Sequence, residues 1–187
     1  KSKNSYFISD TLSQKISETK NSQGVFAVCK MKNENISLKT GQKYIALDNL
    51  QDPGNLGTVI RTAEALGISS VIVGGGCDVF NPKVLRASMG SVLRLDVFEC
   101  QSLAPVLQKA KSLGIKTYAT SPDSSAKKIN ETQFPKSSLC VIGNEANGVS
   151  DEVMNICDET VTIPMLGRAE SLNAHVAGAI VMWEMLR

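Results

Sequence analysis

The sequence predicts an α/β domain with a mostly parallel sheet flanked by helices. Two patterns carry that expectation. From residue 44 onward, short apolar runs alternate with segments of helical periodicity, the pattern of strands joined by crossover helices. Runs such as LCVIG and SVIVGG are apolar throughout and stop at glycine, as strands buried on both faces do.

The elements follow in order. Residues 1–42 stand apart as the tail of a small N-terminal domain plus a linker, or as a segment docked on the main body. SDTLSQKISETK predicts a short polar helix over 11–19, followed by a turn at 21–24 and a strand over 25–29. The polar stretch 31–42 reads as the linker. This segment is too short to hold a core of its own. The chain opens on Lys1 rather than Met, which points to residues ahead of it. The main domain, 43–187, starts with a strand over 44–50. A helix over 55–66 carries Leu56, Val59, Ile60, Ala63 and Leu66 on one face and is closed by Gly67. Next come a strand over 70–75, a short helix over 82–89 with proline early, and a strand over 92–98. A helix over 103–113 ends at Gly114, and a strand follows over 115–120. Residues 121–134 read as loop with a weak helical turn. LCVIG and TVTIPM are the last two strands, with a short helix N-capped by Ser150 between them. A loop over 165–169 leads to the last helix, which opens at Ser171-Leu172-Asn173 and runs to Arg187. Leu172, Val176, Ala179, Ile180, Trp183 and Leu186 form its expected packing stripe.

Composition narrows the function classes. Of 187 residues, 42% are hydrophobic and 20% charged, the balance of a soluble globular protein. No apolar run approaches the ~20 residues that cross a bilayer. The leading KSKNSYFISD lacks the apolar core of a signal peptide, so a cytoplasmic protein without a membrane partner is expected. Five cysteines, odd in number and without C-x-x-C spacing, argue against a disulfide frame and against zinc. The single histidine, His175, leaves no basis for a multi-histidine metal site, and none is expected. Net charge is +2 but uneven. Residues 1–43 hold eight lysines and three acids, and the remainder twelve basic and fifteen acidic residues. A basic leading segment suits a polyanion; a solvated lysine-rich surface accounts for it equally well.

Three polar loops should gather at the carboxyl ends of the strands, where open α/β sheets bind ligands. The first is LDNLQDPGNLGTVIR, the second GNEANG, the third SLN at the entry to the last helix. Glycine turns of this kind are also ordinary punctuation in any α/β domain. GGGC over 74–77 lacks the G-x-G-x-x-G spacing and the downstream acid of a dinucleotide site, which disfavours a nicotinamide oxidoreductase.

Here the residues resemble a known family. N-x5-R within LDNLQDPGNLGTVIRTAEALG, then G-N-E-x-x-G-V-S, then I-P-M followed by S-L-N-x-x-x-A, are similar to the three motifs of SpoU (TrmH-type) RNA ribose 2′-O-methyltransferases of the SPOUT superfamily. The resemblance covers roughly residues 44–187 in order. It implies a SPOUT fold with a C-terminal trefoil knot, a homodimer paired through the last helix and the first-motif region, and S-adenosylmethionine as cofactor. ISDTLSQKISETKNSQGVFAVCK is similar to the join found behind an L30e-like RNA-binding domain, so ribosomal RNA is expected ahead of transfer RNA. The donor would be held around Thr120, Gly143, Ile163 and Leu172. Asn55 and Arg61 match the polar pair of the first motif, Glu145 the acid of the second, and Ser171 and Asn173 the polar pair of the third. These five are the implied catalytic residues. A guanidinium stays charged up to about pH 12, so Arg61 is expected to grip a phosphate and stabilise developing charge rather than act as a base. Glu145 is expected to accept from Arg61 or Asn55. Ser171 is as well explained as an N-cap, and His175 as a structural residue. The other readings are a transfer-RNA 2′-O-methyltransferase and a non-catalytic RNA-binding protein on the same scaffold.

Overall fold

The computed structural model describes residues 4–17, 19, 21–30 and 35–187. It divides into two units, Lys1–Asn33 and Glu34–Arg187. In the first, Ser9 caps helix α1, Asp10–Ile16, by accepting from the Leu12 N–H, and no residue of the helix is buried. The helix ends at Ile16, where Ser17 turns extended at φ −77° and ψ 125°, short of the expected end at 19; residues 18 and 20 lie outside the described set. The strand expected over 25–29 is absent. A lone extended segment has no stability without a neighbour to pair with.

The second unit alternates β1 Lys43–Asp48, α2 Pro53–Leu66, β2 Ser70–Gly74, α3 Pro82–Ala87, β3 Asp96–Cys100, α4 Ala104–Ser112, β4 Lys116–Thr120, β5 Lys127–Lys128, β6 Ser138–Ile142, α5 Asp151–Ile156, β7 Glu159–Thr162 and α6 Ala174–Leu186. The strands form one seven-stranded sheet in the order β3-β2-β1-β6-β4-β7-β5, and its pairings are parallel. The α/β expectation is met.

Alternation along each strand feeds two cores. Ile45, Leu47, Val71, Val73, Cys140 and Ile142 face α2 and α6. Tyr44, Ala46, Ile72, Leu139 and Val141 face α4 and α5. The described part of the expected linker belongs to this body, since Leu38 is buried and the Tyr44 hydroxyl donates to the Lys39 carbonyl. Residues 31–34 are outside the described set.

Several boundaries move for physical reasons. Helix α2 starts at Pro53, because Asp52 accepts from the Asn55 N–H at 2.7 Å. The strand expected over 92–98 is displaced to β3. Gly90 adopts φ 83° and Ser91–Leu93 form a 3-10 turn, which the Glu64 carboxylate holds through Ser91 and Arg94. Ser150 does not cap α5 with its side chain; its hydroxyl donates to Asp48 at 2.7 Å instead.

Helix α6 differs most. Its N-cap is Asn173, not Ser171, and its buried face is Ala174, Gly178, Val181, Met182 and Met185. The stripe expected to pack is the opposite face: Val176, Trp183 and Leu186 are exposed, Trp183 to 61%. The helix is apolar on nearly all sides, so its sequence period selects no face. Gly178 brings α6 against Val59 of α2. The Lys43 ammonium donates to the Met185 carbonyl at the far end. Among the described residues no helix is long and apolar enough to cross a membrane.

Candidate active site

A cavity of about 380 Å³ opens where β4, β6 and β7 end, beside the start of α6. This is the carboxyl edge of the sheet, where parallel strands deliver their loops. Thr120, Gly143, Ile163 and Leu172 all line it, as do Glu145 and Ser171. Ile142, Val149, Met154, Ala174 and Ala177 complete its apolar wall. The sequence reading named none of these as lining; their only signal is position beside the named loops.

The GNEANG loop is folded on itself. Asn144 and Gly148 exchange two backbone hydrogen bonds of 2.9 Å, and Gly148 sits at φ 69°, a conformation open to glycine. A Cβ on Gly143 would run into the backbone of Gly148 and Val149. The close approach that Gly143 permits is therefore to its own loop. Asn144 organises the interior: its Oδ1 accepts from the Ala146 and Asn147 N–H groups. Its Nδ2 donates to the Asn49 carbonyl at 2.8 Å, joining this loop to the one after β1.

Glu145 reaches the start of α2. Its Oε1 accepts from Asn55 Nδ2 at 2.8 Å, and its carboxylate takes longer bonds of 3.4 Å from the Gln51 and Asp52 N–H groups. Burial pushes this carboxyl up. The hydrogen bonds from Asn55, from its own backbone, and from Gln51 and Asp52 together outweigh that and hold it below its ordinary value. Asn55 is only 8% exposed, and its Oδ1 lies 3.0 Å from His175 Nδ1. Asn173 accepts from the His175 N–H at 2.9 Å.

Arg61 is not part of this cluster. It is exposed, does not line the cavity, and Glu145 accepts from Asn55 rather than from it. Six residues along a helix are ~9 Å of rise and about 240° of rotation, so Arg61 and Asn55 leave α2 in different directions. Of the five implied catalytic residues, the structure brings Asn55, Glu145 and Asn173 together around His175. It places Ser171 on the cavity wall and Arg61 outside. His175, expected as a structural residue, joins this cluster through its ring and its backbone N–H.

The cavity's chemistry is selective. Among the described residues its lining holds Glu145 and Glu170 and no lysine or arginine. A phosphate-bearing dinucleotide finds no cation there. An apolar cleft with carboxylates at its rim favours a ligand carrying positive charge. The GGGC segment is a packing device: a Cβ on Gly76 would run into the Leu50 backbone. No group of three or more His, Cys, Asp or Glu that could hold a metal occurs among the described residues.

Known proteins are similar to this chain in sequence and fold. A family model described as the SpoU rRNA methylase family matches residues 42–183. The 23S rRNA (guanosine(2553)-2′-O)-methyltransferase RlmP of Bacillus subtilis is 36% identical over 181 residues, 96% of this chain and 71% of that protein. The SpoU methyltransferase AviRb of Streptomyces viridochromogenes, solved with AdoMet, aligns with TM-score 0.72 and 33% identity over 80% of this chain and 61% of that one. The AdoMet-bound rRNA methyltransferase of Sinorhizobium meliloti aligns with TM-score 0.73 and 33% identity over 80% and 57%. The chain thus spans about three-fifths of these two solved proteins. With the family match running from before β1 into α6, and the same fold recurring at one-third identity, this chain belongs to the SpoU rRNA methylase family.

Proposed function

We propose that this protein transfers a methyl group from S-adenosylmethionine to the ribose 2′-OH of a nucleotide in structured RNA, of the 23S ribosomal type. The observation that carries the reading is the cavity at the ends of β4, β6 and β7, with carboxylates but no cation in its lining. The residues fit the donor, a sulfonium cation of a size suited to an apolar cleft of this volume. The rRNA 2′-O activity in the name of the Bacillus relative and the AdoMet complexes of two solved relatives support it.

When bound, the donor supplies a methyl group already activated by its sulfonium, so no metal is needed. The protein's work is alignment. Ile142, Ile163 and Leu172 exclude water from the cleft, and the folded GNEANG loop fixes its floor. The Asn55–Glu145 pair stands at its mouth and orients the incoming ribose. Arg61 holds a neighbouring phosphate and stabilises negative charge on the 2′-oxygen as its proton leaves to a phosphate oxygen or water.

The catalytic unit we propose is a homodimer. The exposed apolar stripe of α6, Val176, Trp183 and Leu186, supports it, because such a patch marks an interaction surface. Helix α2 lies beside α6, so pairing through that stripe carries the exposed Arg61 toward the cavity of the second copy. A trefoil knot around the cavity loops belongs to the same reading. So does an L30e-like RNA-binding unit to which residues 1–42 connect, a cytoplasmic location, and a choice of ribosomal over transfer RNA. The first unit's exposed Tyr6, Phe7, Val25 and Val28 support that connection.

The test pairs two measurements. Calorimetry reads S-adenosylmethionine binding, with saturable binding expected. Mass-spectrometric mapping of ribose methylation in RNA from cells with and without the gene should show one site lost. No donor binding leaves a non-catalytic RNA-binding scaffold; a loss confined to transfer RNA reverses the substrate choice.

A further inference from the structure

The ring of His175 stands where two segments needed by the cavity meet. Its backbone N–H donates to Asn173 Oδ1 at 2.9 Å, closing the N-cap of α6. Its Nδ1 lies 3.0 Å from Oδ1 of Asn55, which belongs to α2. Asn55 in turn donates from Nδ2 to Glu145 at 2.8 Å, and Glu145 lines the cavity. The imidazole thus meets Asn55, and Asn55 carries the chain of hydrogen bonds on to Glu145, so the start of α6 is linked through α2 to the loop after β6.

The partners' chemistry sets the ring's proton. An ionised carboxylate only accepts. The amide edge turned to Glu145 is therefore the NH₂, and the edge turned to His175 is the carbonyl oxygen. The ring atom opposite an acceptor must donate, so Nδ1 carries the hydrogen and, in the neutral ring, Nε2 carries the lone pair. Without that donor the Asn55 carbonyl, in a residue only 8% exposed, loses its partner. A flipped amide would set two acceptors against each other at Glu145.

We infer that His175 is a positioning residue for methyl transfer: its Nδ1–H fixes the Asn55 amide and through it aims the Glu145 carboxylate across the mouth of the cavity. The role in transfer rests on the methyltransferase reading above; the hydrogen-bond chain does not.

Two readouts test it. The chain holds one histidine, so ¹⁵N NMR of the 187-residue protein observes one ring. In the neutral ring the Nδ1–H tautomer is expected. A predominant Nε2–H form overturns the inference whatever the activity. The second readout is kinetic. In His175→Asn the amide nitrogen stands at the same bond separation from Cβ as Nδ1 and retains the donor; His175→Leu keeps bulk and removes it. For His175→Leu a loss of about tenfold in kcat is expected, with donor affinity within about twofold of wild type and most of the rate recovered in His175→Asn. Full activity in the leucine variant, or an equal loss in both, overturns the inference. A wild-type chain that binds no S-adenosylmethionine defeats the functional reading and the role in transfer together, while the tautomer still decides the hydrogen-bond chain.

Discussion

The Asn55 amide and the Glu145 carboxylate meet at 2.8 Å, although 90 positions separate them. That bond ties the first turn of α2 to the loop after β6; Glu145 lines the cavity and Asn55 stands behind it, outside the lining. Replacing the carboxylate with an amide keeps size and removes charge. Glu145→Gln is expected to lower kcat for ribose methylation by about tenfold to a hundredfold, with donor affinity changed by less than about threefold. Unchanged turnover would reduce Glu145 to an exposed loop acid.

The same carboxylate contributes to an acid limit on stability. Glu145, Asp158 and Glu159 all sit below their ordinary values. For Glu159 the first cause is the Lys116 side chain. For Asp158 burial acts upward and is outweighed by bonds from Thr117 and Lys111. A carboxylate whose folded pKa is depressed contributes stability that is present above its unfolded pKa and lost as pH falls through the folded value. The thermal midpoint is therefore expected to be level between about pH 5.5 and 7.5 and to drop below about pH 4.5. Asp158→Asn should lower the plateau and flatten the drop. An equally steep acid limb in that variant would remove Asp158 from the account.

Legibility followed burial. All five residues of β2 and of β6 are buried, so both strands appear as unbroken apolar runs and were easy to read. Strand β5 is two exposed lysines, Lys127 and Lys128, paired at the sheet edge with β7; nothing in two lysines announces a strand. The apolar residues Val92 and Leu93 suggested β3 too early because a 3-10 turn uses them. Helix α6 was legible as a helix and illegible as an orientation, since its apolar residues surround it. In the site, the resemblance to the SpoU motifs points to Asn55 and Glu145. Their link to His175 depends on two helices meeting in space, and no local pattern encodes that. Arg61 was legible as a residue, but its place outside the cavity follows from the pitch of α2.

Two glycines of the cavity loop should fail differently. A Cβ on Gly143 meets backbone, whereas one on Gly148 meets open space but must adopt φ 69°. Gly143→Ala is expected to cost about 3 kcal/mol and to abolish donor binding, because the loop has to open. Gly148→Ala should cost only about 1–2 kcal/mol of backbone strain and retain measurable binding. Urea unfolding and calorimetry check both. Equal costs would mean that the loop relaxes freely around Gly143.

The exposed stripe of α6 makes a prediction about assembly. Trp183 is 61% exposed and lies on the face opposite the buried Val181, Met182 and Met185. Trp183→Glu places a charge on that face without touching the core. Sedimentation should show the wild type as a dimer and the variant as a folded monomer, with methylation falling along with the dimer. A variant that remains dimeric would assign pairing to another surface.

Arg61 gives the most direct test of how the reaction is assisted. It is exposed and does not line its own chain's cavity, so substitutions there are expected to spare donor affinity. A guanidinium offers a planar fork that can grip two oxygens of a phosphate, and an ammonium offers only a point charge. Arg61→Lys is therefore expected to lower kcat/KM for RNA by about tenfold to a hundredfold while donor affinity stays at the wild-type value. Arg61→Ala should fall further, with the same donor affinity. Mixing Arg61→Ala with an Asn55→Ala chain separates two arrangements. Recovery of activity in the mixture, through heterodimers, means that Arg61 serves the second copy's cavity. No recovery means that each chain uses its own arginine, and near-full activity of Arg61→Lys would end any role for the fork.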